Sequence, residues 1–98
     1  MAKRDKLQHE QIEAFAAKHP GWQLADGGIV KTYAFQAYAR SIAFVVEVAF
    51  AAEKRDHHPD LTVTWGKVAV RWSTHDAGGV TALDLEMAEA TDGLFERS

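Results

Sequence analysis

The stretch LTVTWGKVAVRWS, residues 61–73, alternates apolar and polar side chains on both sides of a central glycine. Alternation with a period of two residues is typical of β-strands that bury one face. Gly66-Lys67 has the Gly-X form of a two-residue type II′ turn. The stretch therefore predicts a β-hairpin, and its two strands form the centre from which the rest of the fold is assigned.

With Gly66-Lys67 as the loop, the predicted hairpin pairs apolar residues across its strands: Trp65 with Val68, Val63 with Val70, and Leu61 with Trp72. These pairs share one face, and we expect Trp65 and Trp72 in the core. Extending the same ladder outward places His58 opposite His75. Directly opposed residues have Cβ atoms roughly 4.5–5.5 Å apart, so the two imidazoles would be close enough to hold a substrate between them.

Other segments complete the fold on both sides of this hairpin. Asp26-Gly27-Gly28 is typical of a turn and joins two short strand candidates, which are residues 22–25 and 29–33. Helical periodicity is found over about 5–18, about 35–55 and from Thr81 onward. The order α-β-β-α-β-β-α predicts an α+β fold in one domain, residues 1–98, with a four-stranded antiparallel sheet covered by helices on one face.

The helix predicted over residues 35–55 has two apolar faces. The wider face consists of Phe35, Tyr38, Ile42, Val45, Val46 and Ala49, and the second face has Phe44 and Val48 at its centre. We expect the wider face to pack on the sheet of its own chain and the second face to meet another copy, giving a dimer or tetramer. The alternative is that the first or last helix covers Phe44 and Val48 within one chain.

Composition excludes several classes of function. The 98 residues have a net charge of -3 with histidine neutral, which gives no general attraction for nucleic acids. The absence of cysteine excludes thiol catalysis and thiolate metal sites. No apolar run approaches the length of a membrane span, so no membrane association is predicted. The lack of cysteine also suits a reducing compartment, and we expect a cytoplasmic protein.

One motif carries most of the functional information. The sequence EKRDHHP, residues 53–59, is followed at set distances by Trp65, His75 and Asp84. This pattern resembles the signature of the pterin-4a-carbinolamine dehydratases, a family that includes dimerisation cofactors of hepatocyte nuclear factor. The resemblance extends over nearly the whole chain. It implies dehydration of 4a-hydroxytetrahydrobiopterin to the quinonoid dihydropterin, as a step of tetrahydrobiopterin recycling after an aromatic amino acid hydroxylase.

The resemblance also implies a set of site residues and no cofactor or metal. The catalytic histidines would be His57, His58 and His75. The substrate site would be lined by these three together with Asp56, Ser73, Thr74 and Asp76, while Glu53 and Asp84 would support it. Expelling a hydroxyl group needs a proton donor for the leaving oxygen and a base for a ring N–H, and histidine serves either role near neutral pH. We favour His58 and His75 as the acid–base pair and His57 as an orienting group.

Simpler interpretations remain open for each residue. Three histidines can ligate zinc, and adjacent histidines in a loop are often only solvated surface. Asp84 follows Thr81 by three residues and can cap the last helix, and Glu53 can be an ordinary carboxylate of the last helical turn. For the whole chain, the alternatives to an enzyme of this kind are a non-catalytic interaction module and a pterin or molybdopterin accessory protein.

Overall fold

The predicted order of helices and strands is found in the computed structural model, which describes residues 4–98. The elements are α1 His9–Lys18, β1 Gln23–Ala25, β2 Gly28–Ala34, α2 Tyr38–Arg55, β3 Asp60–Thr64, β4 Lys67–Trp72 and α3 Ala82–Glu96, with a 3₁₀ turn at His75–Ala77 before α3. The α-β-β-α-β-β-α order and the α+β class are confirmed. None of the helices between residues 4 and 98 is long and apolar enough to cross a membrane.

The four strands form one antiparallel sheet in the order β1-β2-β4-β3. The two hairpins therefore join through β2 and β4, which lie in the middle. Alternate residues of these two strands are buried, as period-two patterning requires: Ile29, Tyr33, Val68, Val70 and Trp72. Both α2 and α3 contact β4, and their buried residues complete the core over this face.

The turn of the second hairpin lies one residue earlier than predicted. Thr64 pairs with Lys67, so Trp65 and Gly66 form the loop and Lys67 belongs to the strand. Lys67 also pairs with Ala34 of β2, and Gly66 adopts a φ of +78° that glycine tolerates without steric cost. The predicted register was therefore wrong by two residues, a slip that leaves Leu61, Val63, Val68 and Val70 on their predicted face.

Two consequences follow from the corrected register. Leu61 pairs with Val70 rather than Trp72, and His58 is no longer aligned with His75. Trp72 is fully buried as expected, but Trp65 is 77% exposed at the tip of the hairpin, so its predicted place in the core was wrong.

The two apolar faces of α2 exist, but the second face, predicted to meet another copy, lies in the core, and of the wider face only Phe35 and Val45 pack against that core. Phe44 and Val48 are each only 1% exposed, and the ring of Phe95 from α3 lies 6.0 Å from that of Phe44. The last helix thus helps to cover this face within the chain, which was the alternative interpretation. Val46 and Phe50 point outward instead, with 47% and 72% of their surface exposed. A helical wheel separates faces but does not show which one meets the sheet.

A partly buried carboxylate connects α3 to the first hairpin. Asp92 accepts hydrogen bonds from Trp22 Nε1 at 3.1 Å, Lys31 Nζ at 2.8 Å and the Tyr33 hydroxyl at 2.6 Å. Burial raises the pKa of Asp92, but the hydrogen bonds from Lys31, Tyr33 and Trp22 outweigh it and hold that pKa below its ordinary value of 3.8. Burial, and then the bond to Asp92, raise the pKa of Tyr33 far above its ordinary value.

Replacing Asp92 by asparagine should lower the free energy of unfolding at neutral pH by about 1–3 kcal/mol, since charge-assisted bonds are lost. Because the pKa of Asp92 is lower in the folded chain, its stabilisation is complete above the unfolded pKa of about 3.9 and disappears as pH falls through the folded value. The difference between wild type and Asp92→Asn in urea unfolding should therefore shrink below about pH 4. Glu47→Gln, at an exposed side chain that forms no ion pair within residues 4–98, is the control and should leave the pH dependence unchanged. A difference that stays constant with pH would contradict this role.

Candidate active site

The end of α2 explains how two adjacent histidines come to face different surroundings. Asp56 has left-handed backbone angles, φ 50° and ψ 46°, a region that aspartate tolerates better than most residues. Its N–H donates to the carbonyl of Glu53 at 3.2 Å, and the next N–H, of His57, donates to the carbonyl of Ala52 at 3.1 Å. These two bonds form a Schellman motif, which ends the helix and turns the chain sharply. His57 consequently points into the protein, while His58 stays at the surface.

His57 is held rigidly between an aromatic ring and a carboxylate. Its side chain is only 7% exposed, and its ring stacks on that of Trp72 with a centroid distance of 5.7 Å and an interplanar angle of 18°. Its Nε2 lies 2.5 Å from Oδ1 of Asp84. Packing and hydrogen bonding together fix the orientation of this imidazole.

Asp84 is fully buried and serves two functions at once. Its Oδ2 accepts hydrogen bonds from the backbone N–H of Thr81 and from the hydroxyl of Thr74, both at 2.8 Å. The reciprocal bonds of a capping box are present, so the predicted capping of α3 by Thr81 and Asp84 is confirmed. The other oxygen of the same carboxylate holds His57. The same carboxylate therefore caps α3 and holds a predicted catalytic histidine.

His58 has a carboxylate partner as well, but an exposed one. Its Nε2 lies 2.9 Å from Oε1 of Glu53, and the two side chains are 58% and 78% exposed. Exposed pairs of this kind contribute little to stability, about 0–1 kcal/mol. In both pairs an ionised carboxylate can only accept a hydrogen bond, so the proton of the neutral imidazole lies on Nε2 and the lone pair on Nδ1.

The third histidine lies on a short loop that is closed by its own backbone. The N–H of Thr74 donates to the carbonyl of Gly79 at 2.9 Å, and Gly78, at φ +74°, returns its N–H to the carbonyl of Thr74 at 3.1 Å. The 3₁₀ turn between these bonds presents His75 and Asp76 at the surface. Ser73, just before the loop, accepts a hydrogen bond from Arg71 at 3.1 Å.

These segments meet around a cavity of about 220 Å³. Its walls contain all seven residues predicted to line the substrate site and one that was not predicted: Asp56, His57, His58, Ser73, Thr74, His75, Asp76 and Arg4. His58 and His75 therefore share a cavity although the strands do not align them. Glu53 and Asp84 are not in the walls, but each contacts a histidine that is. No sequence motif pointed to Arg4, which reaches the cavity through tertiary pairing.

A larger depression of about 670 Å³ lies on the outer side of α2 and α3. Phe50, Ala51 and Leu94 give it apolar walls, with Glu47, Glu53 and Lys54 around them. It contains no histidine and no hydroxyl group. The smaller cavity is the candidate active site, because imidazoles, carboxylates and hydroxyls converge in its walls.

A family model described as pterin 4 alpha carbinolamine dehydratase matches residues 5–94. The chain belongs to this family. A protein of Mesorhizobium japonicum, provisionally named pterin-4-alpha-carbinolamine dehydratase, is 43% identical over 94 residues, covering 94% of this chain and 96% of the relative. A protein of Xanthomonas oryzae pv. oryzae with the same provisional name is 39% identical over 94 residues, covering 94% and 80% of the two chains.

Two solved structures are similar in fold. The crystal structure of a transcriptional coactivator/pterin dehydratase from Brucella melitensis superposes with a TM-score of 0.86 at 29% identity, covering 92% of this chain and 98% of that one. A pterin dehydratase-like protein, described as a RuBisCO assembly factor in the alpha-carboxysome, gives a TM-score of 0.67 at 21% identity, covering 79% and 92%. The second likeness concerns the fold alone.

Proposed function

We propose that this protein is a 4a-hydroxytetrahydrobiopterin dehydratase, acting in tetrahydrobiopterin recycling after an aromatic amino acid hydroxylase. The observation that carries the proposal is the convergence of His57, His58 and His75 on one polar cavity in a chain of this family. In the reaction the C4a–O bond breaks, the neighbouring ring nitrogen loses its proton, and a C=N double bond forms. The products are water and the quinonoid dihydropterin, so only protons need to be moved.

The three histidines differ in ways that suit different roles. His58 and His75 are exposed at the cavity, where one can protonate the leaving oxygen while the other accepts the ring proton. Glu53 orients His58 through Nε2. His57 is buried and fixed by Asp84 and Trp72, so we assign it to orienting the substrate. Neither proton transfer calls for a metal or an added cofactor.

The direct test is a dehydration assay with purified protein. 4a-Hydroxytetrahydrobiopterin, generated by an aromatic amino acid hydroxylase, loses water spontaneously, and the protein should accelerate that step in proportion to its concentration. Formation of the quinonoid product can be followed by its absorbance. A rate equal to the spontaneous one, with folded protein in excess, would overturn the proposal.

We also propose that the outer face of α2 joins copies of this chain into a dimer or tetramer. Tyr38, Val46 and Phe50 are 52%, 47% and 72% exposed and all belong to this helix. Small residues between them, including Ala39, Ala43 and Ala49, would allow two helices to approach closely. An apolar surface concentrated on one helix is typical of an interface.

Replacing Phe50 by glutamate should therefore weaken assembly and leave the cavity unchanged. A charge on a desolvated helix face opposes association, so the mass measured by light scattering after size exclusion should fall toward that of a monomer. Arg40→Glu, at an exposed position of the same helix, is the control and should keep the wild-type mass. Phe44→Glu is unsuitable, because Phe44 lies in the core. A wild-type monomer at micromolar concentration would contradict the proposed interface.

A second candidate function is a non-catalytic interaction module. The same exposed face of α2 supports it, and the similar Brucella protein is described as a transcriptional coactivator as well as a dehydratase. In that case the protein would fail the dehydration assay, while Phe50→Glu would still weaken its association. The three histidines at one cavity favour the enzyme.

A further inference from the structure

The segment that precedes α1 pairs with the residues just before α3. Lys6 forms a β-bridge with Thr81, and the N–H of Leu7 donates to the carbonyl of Val80 at 2.8 Å. Leu7 is 8% exposed, so this segment is also anchored in the core. Arg4 stands two residues before the bridge. Arg4 consequently forms part of the cavity wall, together with residues that follow α2.

Arg4 differs from two of the cavity's histidines, His57 and His58, in having no carboxylate partner among the described residues. His57 faces Asp84 and His58 faces Glu53. Within residues 4–98, the structure pairs Arg4 with no acidic side chain, although Asp56 and Asp76 line the same cavity. The wall therefore contains a free guanidinium, which only donates hydrogen bonds, and two carboxylates, which when ionised only accept them.

This combination of donors and acceptors matches one side of a pterin. The 2-amino-4-oxo edge of the ring presents N–H donors beside a carbonyl acceptor. Carboxylates suit the N–H groups, and a guanidinium suits the carbonyl oxygen. We propose, building on the proposed function, that Arg4 is a specificity-determining residue that binds the 4-oxo group and so selects 2-amino-4-oxopteridines. A pteridine with an amino group at position 4 would present donors to donors and be rejected.

Two stable fluorescent ligands test this assignment without any turnover. Pterin and 2,4-diaminopteridine differ at position 4, where one has an acceptor and the other a donor, and at the neighbouring N3, where only pterin carries a hydrogen. In fluorescence titrations of the full chain near neutral pH, wild type should bind pterin about tenfold more tightly than the diamino compound. Arg4→Ala should lower the affinity for pterin about tenfold and leave that for 2,4-diaminopteridine within about twofold, so that discrimination disappears.

Lys6→Ala is the matched control. It removes the same charge from the same segment, but Lys6 lies against Gly79 and not in the cavity wall. This variant should keep the wild-type preference for pterin. If Arg4→Ala lowers the affinity for both ligands equally, or changes the affinity for neither, the assignment to Arg4 is overturned. Pterin binding by wild type would still support the proposed function. If wild type binds neither ligand, the proposed function fails and the role of Arg4 fails with it.

Discussion

Replacing His58 or His75 by alanine is expected to lower kcat for dehydration by about 10²-fold or more, the usual scale of general acid–base catalysis. Both side chains lie at the cavity and are exposed, so neither is needed for the core. The thermal unfolding midpoint of each variant should therefore stay close to that of wild type. Steady-state rates with 4a-hydroxytetrahydrobiopterin, corrected for spontaneous dehydration, measure the effect.

His9→Ala provides the comparison for these two variants. His9 is 61% exposed on α1 and pairs with Glu13 at 3.2 Å, away from the cavity wall. Removing this imidazole should leave kcat unchanged. Near wild-type turnover in both His58→Ala and His75→Ala would remove the acid–base pair from the mechanism, and an equal loss in His9→Ala would point to a general effect on folding.

Replacing Asp84 by asparagine is expected to affect stability and activity together. The carboxylate is fully buried and serves His57, Thr74 and the N–H of Thr81. Asparagine keeps the shape, but its NH₂ group cannot accept a hydrogen bond, so one buried donor loses its partner. We expect the free energy of unfolding to fall by about 2–4 kcal/mol. For a chain of this size, that lowers the unfolding midpoint by about 10 °C or more.

The same substitution should lower kcat by about tenfold or more, because the asparagine no longer fixes the tautomer of His57. Glu53→Gln is the matched change at the exposed pair with His58 and should alter the unfolding midpoint little. Calorimetry and the dehydration assay on both variants separate the two roles. An Asp84→Asn protein that melts like wild type would show that the buried network does not support the fold.

The local sequence was sufficient to predict much of the fold of this protein. Alternation over residues 61–73 and the glycines at 27 and 28 predicted two hairpins, and the order of elements then predicted the fold class. The spacing of Thr81 and Asp84 predicted a capping box that the structure confirms. These features depend on contacts between residues close in sequence, which hydrogen-bonding rules and side-chain periodicity determine directly. The motif at 53–59 with His75 likewise indicated the family.

Long-range packing decided what local patterns left open. Both faces of α2 are apolar, and only the packing of Tyr33 and Phe95 against Phe44 shows which face is buried. The three donors to Asp92 lie 59 to 70 residues away from it in sequence, beyond any local pattern. Arg4 reaches the cavity because a β-bridge holds the segment beside Thr81. Such contacts arise from the arrangement of whole elements in space, so the tertiary structure alone determines which face is buried and which distant residue lines the cavity.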